Sequence, residues 1–253
     1  MMKKKSEIEP TETDRLGLGK LRIRQKQGFF KFTIDPILLA SFCRIYPKEK
    51  VLDLGTGGGV VPLWLAGYRG VLQVTGLEFQ AELAVLAVEN VFLNGLEERV
   101  EIIQGDLRVP GTEVTSSSYN WVLSNPPYIK PSAGSLMENP VLAQAKFELT
   151  CTLEDVIKSA ARLTPHNGRL ALVHLPERLS EIMVLMDHYG FEPKRMVLVH
   201  PKPGQIPHRV LIEGRKSARP GLFLLKPFYI HKENGEFTDE MIRVYQGDLI
   251  PEK

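Results

Sequence analysis

The chain has 253 residues, with 32 lysines and arginines against 30 aspartates and glutamates, a net charge of +2, and 43% hydrophobic and 25% charged residues. This is ordinary globular composition, enough for one large α/β domain with small additions or two small domains, and the charge neither demands nor excludes a nucleic-acid partner. No apolar run approaches the roughly 18 residues of a membrane span, Met1 to Lys5 is basic without a following apolar stretch, and Cys43 and Cys151 suit neither a metal cage nor a disulfide framework, so a cytoplasmic protein without membrane or metal is expected.

Residues 1–19 are polar, lack a hydrophobic period and read as a flexible tail. Leu21-Arg22-Ile23-Arg24 and Phe29-Phe30-Lys31-Phe32, with Gly28 between them, predict a small hairpin. Asp35-Pro36 opens the apolar stretch Ile37 to Phe42, a helix with Asp35 as N-cap and Pro36 at its first position. From Val51 strands and helices alternate. Val51 to Leu54, Val71 to Glu78, Val100 to Gln104, Asn120 to Ser124 and Leu170 to Leu175 are strands, with helices over Val60 to Ala66, Ala81 to Leu93, Leu153 to Leu163 and Glu177 to Tyr189. Strands near Arg195 to Val199 and Val210 to Glu213 follow, joined without a helix and therefore an antiparallel pair.

This order predicts an α/β fold: a Rossmann-like, doubly wound, mostly parallel seven-stranded sheet with a terminal antiparallel pair and a small N-terminal hairpin. Beyond the tail, residues 20–253 read as a single domain. Residues 20–50 form a hairpin and helix cap, 51–214 the core and 215–253 a C-terminal extension.

Val51-Leu52-Asp53-Leu54-Gly55-Thr56-Gly57-Gly58-Gly59 puts a glycine turn directly after the first core strand, where the backbone bends sharply and a ligand can approach the next helix N-terminus. Val60 stands where a dinucleotide fingerprint requires its last glycine. The acidic residue before the turn, with Gly55, Gly57 and Gly59, instead resembles the S-adenosylmethionine site of Rossmann-like methyltransferases, in which Asp53 would meet the ligand's ammonium. Glu78 ends the second strand, where a carboxylate can accept both ribose hydroxyls or stand as a solvated charge. Asp106 follows the third, where it can accept from an adenine amine or cap a helix. Three acidic residues at the C-terminal ends of consecutive strands mark one crevice.

Ser124-Asn125-Pro126-Pro127-Tyr128 follows the fourth strand. An aromatic amine is a poor nucleophile because its lone pair is delocalised. The Asn125 side-chain oxygen and the Pro126 carbonyl can each accept one of its hydrogens and stabilise the charge that develops on nitrogen. Two prolines stiffen the loop, and Tyr128 offers a face on which a base can stack.

Asn125 to Tyr128 after Asp53 to Gly59 resembles the class I amino-methyltransferases. Within them, Gln27 to Leu39, Ile206-Pro207-His208-Arg209-Val210-Leu211 and Phe237 to Met241 resemble segments of bacterial tRNA adenine N6-methyltransferases acting on a valine tRNA. The resemblance implies S-adenosylmethionine as cofactor, S-adenosylhomocysteine as its product and tRNA as partner. It makes Phe32, Thr33, Asp35 and Asn125 candidate cofactor contacts, and Tyr128, Lys130, His208 and Arg209 candidate RNA contacts. Pro36 departs from the glycine or alanine expected there, and Ala145-Lys146-Phe147-Glu148 reads as a substrate-side loop. Only about 50 residues precede Val51, too few for the helical substrate domain of protein-glutamine methyltransferases, and no surplus segment suits a DNA target-recognition domain. Guanine N2 in RNA, a protein glutamine amide and a non-catalytic RNA-binding module remain as alternatives. The basic clusters Lys20 to Lys31 and Arg195 to Arg219 fit a solvated face or a phosphate-binding one equally, and the oligomeric state stays open, a monomer being compatible.

Overall fold

The computed structural model describes residues 11–26, 33–109, 111, 114, 118–128 and 151–252. In chain order the elements are β1 (Thr11–Arg15), β2 (Arg22–Lys26), α1 (Asp35–Phe42), β3 (Lys50–Leu54), α2 (Val60–Gly67), β4 (Gln73–Glu78), α3 (Ala81–Leu93), β5 (Val100–Gln104) and β6 (Trp121–Ser124). There follow α4 (Leu153–Leu163), β7 (Arg169–His174), α5 (Leu179–His188), β8 (Phe191–His200), β9 (Arg209–Lys216), β10 (Phe223–Leu224), β11 (Phe228–Tyr229) and α6 (Asp239–Tyr245).

The main sheet runs β10-β8-β9-β7-β6-β3-β4-β5, with β11 also paired to β8. Strands β3 to β7 are parallel to one another, and β9 is antiparallel to both β7 and β8. The seven expected strands are all there, with the terminal antiparallel pair. The short β10 and β11, which no sequence period announces, raise the count to nine among the described residues.

Val51 to Leu54, Trp121 to Ser124 and Leu170 to His174 are buried because helices cover both faces of a parallel sheet. On one face Phe42, Leu63 and Trp64 from α1 and α2 pack over Val51 and Leu123. On the other, Ile157 and Met186 from α4 and α5 pack over Leu52 and Val122. A capping box starts α4: the Thr152 hydroxyl accepts from the Asp155 amide, and the Asp155 carboxylate accepts from the Thr152 amide.

Two expectations at the N-terminal end are corrected. Residues 11–19 do not belong to a flexible tail: Thr11–Arg15 pairs antiparallel with Arg22–Lys26, and Leu16 is fully buried. The surroundings that order this stretch lie far along the chain. The Leu18 amide donates to the Tyr245 carbonyl at 3.0 Å, and a Cβ on Gly17 would meet Trp64. Among the described residues β2 pairs with β1; the expected second strand, Phe29 to Phe32, lies outside the described residues. Asp35 does not cap α1. Ile34 holds the cap position without a side-chain bond, because the Asp35 carboxylate is engaged elsewhere.

Strand β2 is held from its side by α3 as though by another strand. The Asn90 amide accepts from the Arg24 backbone N–H at 2.7 Å and donates to the Arg24 carbonyl at 3.2 Å. One helical turn on, Asn94 does the same with Arg22, at 2.9 and 2.8 Å.

Candidate active site

The C-terminal ends of β3, β4, β5 and β6 open on a cleft of about 440 Å³, within the range of cofactor-binding sites. It lies where parallel α/β sheets place ligands, at the reversal of strand order on either side of β3.

The glycine loop forms one wall. Gly55 and Gly57 have φ of +74° and +55°, and a Cβ on either would meet nothing within 4 Å, so the loop bares its backbone to open space. Gly59, at φ +87°, starts α2 and lies close against Ala87. The loop is braced from two sides. Oε2 of Glu78 accepts from the Gly57 N–H at 2.8 Å and Oε1 from the Gln80 N–H at 2.9 Å, while the Asn90 amide donates to the Gly58 carbonyl at 3.0 Å. Glu78 is only 5% exposed, which excludes the solvated-charge reading.

Asp53 is also buried. Burial first, and the charge of Glu78 in addition, push its carboxyl from the usual 3.8 up to about 7; burial raises Glu78 as well. No lysine or arginine among the described residues forms an ion pair with either carboxylate. Two buried acids beside an open glycine loop fit a cationic ligand.

Asp106 is placed at the rim with its carboxylate already engaged. Arg108 grips it with Nε at 3.0 Å and Nη2 at 2.6 Å, and the hydrogen bonds from that side chain hold Asp106 below its ordinary carboxylate range. No helix among the described residues starts there, so the cap reading fails, and the carboxylate that could accept from an adenine already accepts from Arg108.

The opposite wall is the loop after β6. Its start is tied to the glycine loop: the Ser124 hydroxyl donates to the Leu54 carbonyl at 2.8 Å, within the buried sheet. Asn125, Pro126, Pro127 and Tyr128 all line the cleft. Beyond them Arg178 Nη1 donates to the Tyr128 carbonyl at 3.2 Å while its Nε pairs with Glu181 at 2.8 Å.

The Tyr128 phenol reaches Oδ2 of Asp35 at 3.0 Å and also contacts Oδ1 of Asn125. Asp35 accepts in turn from Nε of Arg209 at 2.9 Å, and the Arg209 guanidinium lies over the Tyr128 ring, 4.8 Å from its centroid. The His174 ring stands 5.1 Å away. Its Nδ1 accepts from the Leu175 N–H at 2.8 Å, which puts the ring proton on Nε2. Burial, then the nearby Arg178, lower His174 to about 4, so it is neutral at physiological pH. A base stacking on Tyr128 would share that ring with a cation and an imidazole.

Thr33 and Asp35 both line the cleft, and the Thr33 hydroxyl accepts from the Asp35 N–H at 3.3 Å. Of the pair expected to meet RNA, Arg209 lines the cleft but is held by Asp35. His208 is half-buried behind it, with Nδ1 3.2 Å from the Val199 carbonyl. Phe32, Lys130 and Ala145 to Glu148 lie outside the described residues. Sequence reasoning missed Arg108, His174 and Arg178. Their one legible signal was position, since each lies at or just past the C-terminal end of a parallel strand.

Residues 22–189 match the methyltransferase small domain family. A tRNA1(Val) (adenine(37)-N6)-methyltransferase of Bacteroides fragilis is 30% identical over 182 residues, 72% of this chain and 76% of the relative. One from Porphyromonas gingivalis is 27% identical over 240 residues, 92% of this chain and 93% of the relative. Among solved structures, a predicted O-methyltransferase from Agrobacterium tumefaciens superposes with a TM-score of 0.69 at 22% identity, covering 86% of this chain and 98% of that one, which bears on the fold alone.

Proposed function

The chain belongs to the methyltransferase small domain family and is an S-adenosylmethionine-dependent methyltransferase, and from that premise we propose that it methylates the exocyclic N6 amine of an adenine in tRNA. The observation that carries this reading is the meeting of two loops in one cleft. The glycine loop with Asp53 and Glu78 and the Asn125-Pro126-Pro127-Tyr128 loop leave neighbouring strands, tied by the bond from Ser124 to Leu54. The tRNA substrate named for both relatives agrees with it.

When bound, S-adenosylmethionine supplies a methyl group on a positively charged sulfur. Asp53 would hold its ammonium, Glu78 its ribose and Asp106 its adenine, over the bare backbone of Gly55, Gly57 and Gly59. Thr33 and Asp35 close the cleft from the N-terminal side. The remaining work falls to acceptors. The Asn125 side-chain oxygen and the Pro126 carbonyl accept hydrogen bonds from the two N–H groups of a flat amine, draw its lone pair out of conjugation and stabilise the positive charge that grows on nitrogen, which sheds one proton to solvent once the methyl has moved from sulfur. Proline rigidity and the anchoring of the Tyr128 carbonyl by Arg178 keep both acceptors in place beforehand. Tyr128, Lys130, His208 and Arg209 are the proposed RNA contacts. The proposed partner places the reaction in the cytoplasm; no helix among the described residues is long and apolar enough to cross a membrane.

The test is nucleoside mass spectrometry of tRNA incubated with the enzyme and isotope-labelled cofactor. Labelled N6-methyladenosine is expected; label on guanine N2, on a protein glutamine, or on nothing overturns the substrate.

A further inference from the structure

The Tyr128 phenol oxygen sits between two acceptors, Oδ2 of Asp35 at 3.0 Å and Oδ1 of Asn125. A phenol has one proton to give. Asp35, ion-paired to Arg209 at 2.9 Å, is a carboxylate that only accepts, and a charged acceptor outcompetes a neutral amide for that proton. Burial, and then the Asp35 charge, keep the phenol protonated by pushing it well above its ordinary value.

With its proton committed to Asp35, Tyr128 meets Asn125 through a bare oxygen lone pair. Two oxygens facing each other without a hydrogen repel. The contact closes only if the Asn125 amide turns over, so that Nδ2 donates to the phenol and Oδ1 is released to the other side. In the orientation with Oδ1 against the phenol, the oxygen needed for a substrate amine is blocked.

We propose that Arg209, Asp35 and Tyr128 form a hydrogen-bond relay that selects the Asn125 amide orientation presenting Oδ1 to the substrate amine. Asp35 and Arg209 are thus positioning residues, acting through Tyr128. Each member is also held from outside the relay: Arg209 Nη1 donates to the His208 carbonyl at 2.7 Å, the Tyr128 carbonyl accepts from Arg178, and Asp35 is 2% exposed at the start of α1. A motif of four consecutive residues is in this way oriented by side chains 93 and 81 positions away. The role given to Oδ1 rests on the proposed amine chemistry; the amide orientation does not.

The test reads the Asn125 side-chain amide in ¹H–¹⁵N spectra of the cofactor-free full-length chain, assigned by its disappearance in Asn125→Asp. One Nδ2 proton of the wild type is expected to be shifted and protected from solvent exchange. Tyr128→Phe, which removes a single oxygen, should abolish the shift and speed its exchange roughly tenfold, the worth of one hydrogen bond. Asp35→Asn, which keeps the side-chain shape, should weaken both effects. Tyr128→Phe should also lower kcat on the order of 10–100-fold at unchanged cofactor Kd. An amide signal identical in wild type and both variants overturns the relay, even in an active enzyme. A protected amide in an enzyme that leaves adenine unmethylated supports the relay and removes only the substrate reading.

Discussion

The side-chain amide of Asn90 holds the backbone of Arg24 by both N–H and carbonyl and, through the same Nδ2, the carbonyl of Gly58 at 3.0 Å. One fully buried side chain thus connects the N-terminal hairpin to the glycine loop of the cleft. Replacing it by leucine strands three backbone groups. Stability should fall by about 2–4 kcal/mol in urea denaturation, and the Arg24 amide should lose hydrogen-exchange protection along with it. A Leu variant that keeps Arg24 protected would show that the hairpin is held by its apolar contacts alone.

Asn125→Ala removes one amine acceptor and leaves the glycine loop intact. We expect turnover to drop by about 10²–10³-fold, with cofactor affinity in calorimetry within several-fold of wild type. Wild-type turnover would refute the assigned role.

Asp53 is raised from 3.8 to about 7 on folding. Because the folded state holds this proton more tightly than the unfolded one, its contribution to stability is full below 3.8, falls as pH rises and is lost above 7. The size is on the order of 4 kcal/mol. Asp53→Asn should therefore stabilise the cofactor-free protein at pH ~8 and match wild type near pH ~4, in paired thermal melts. A cationic ligand prefers the ionised form, so wild-type cofactor affinity should rise with pH through this range and flatten in the variant.

Arg108 occupies the Asp106 carboxylate at the rim, so adenine recognition by that acid competes with the guanidinium. The pair is half exposed and weak. Arg108→Ala should tighten cofactor binding by about 2–5-fold, the ceiling for a surface ion pair. Weaker binding in calorimetry would instead make Arg108 a ligand contact.

What the sequence by itself determined was local. Apolar runs with glycine turns between them laid out the parallel strands and their helices, and the glycine loop and the Asn125 to Tyr128 tetrapeptide announced their chemistry because each is contiguous. Strand order then brought Asp53, Glu78 and Asp106 to one edge, since parallel strands all end on the same side of a sheet. Tertiary structure alone decided what those groups touch. Asp35 reads as a helix cap, yet its carboxylate binds Arg209 across 174 positions of chain. Asn90 and Asn94, on and just past a helix, stand in for a strand, and Leu16 reads as tail but is core. A hydrogen bond between distant residues imposes no period on either segment, so only the folded chain, which brings donor within reach of acceptor, can reveal it.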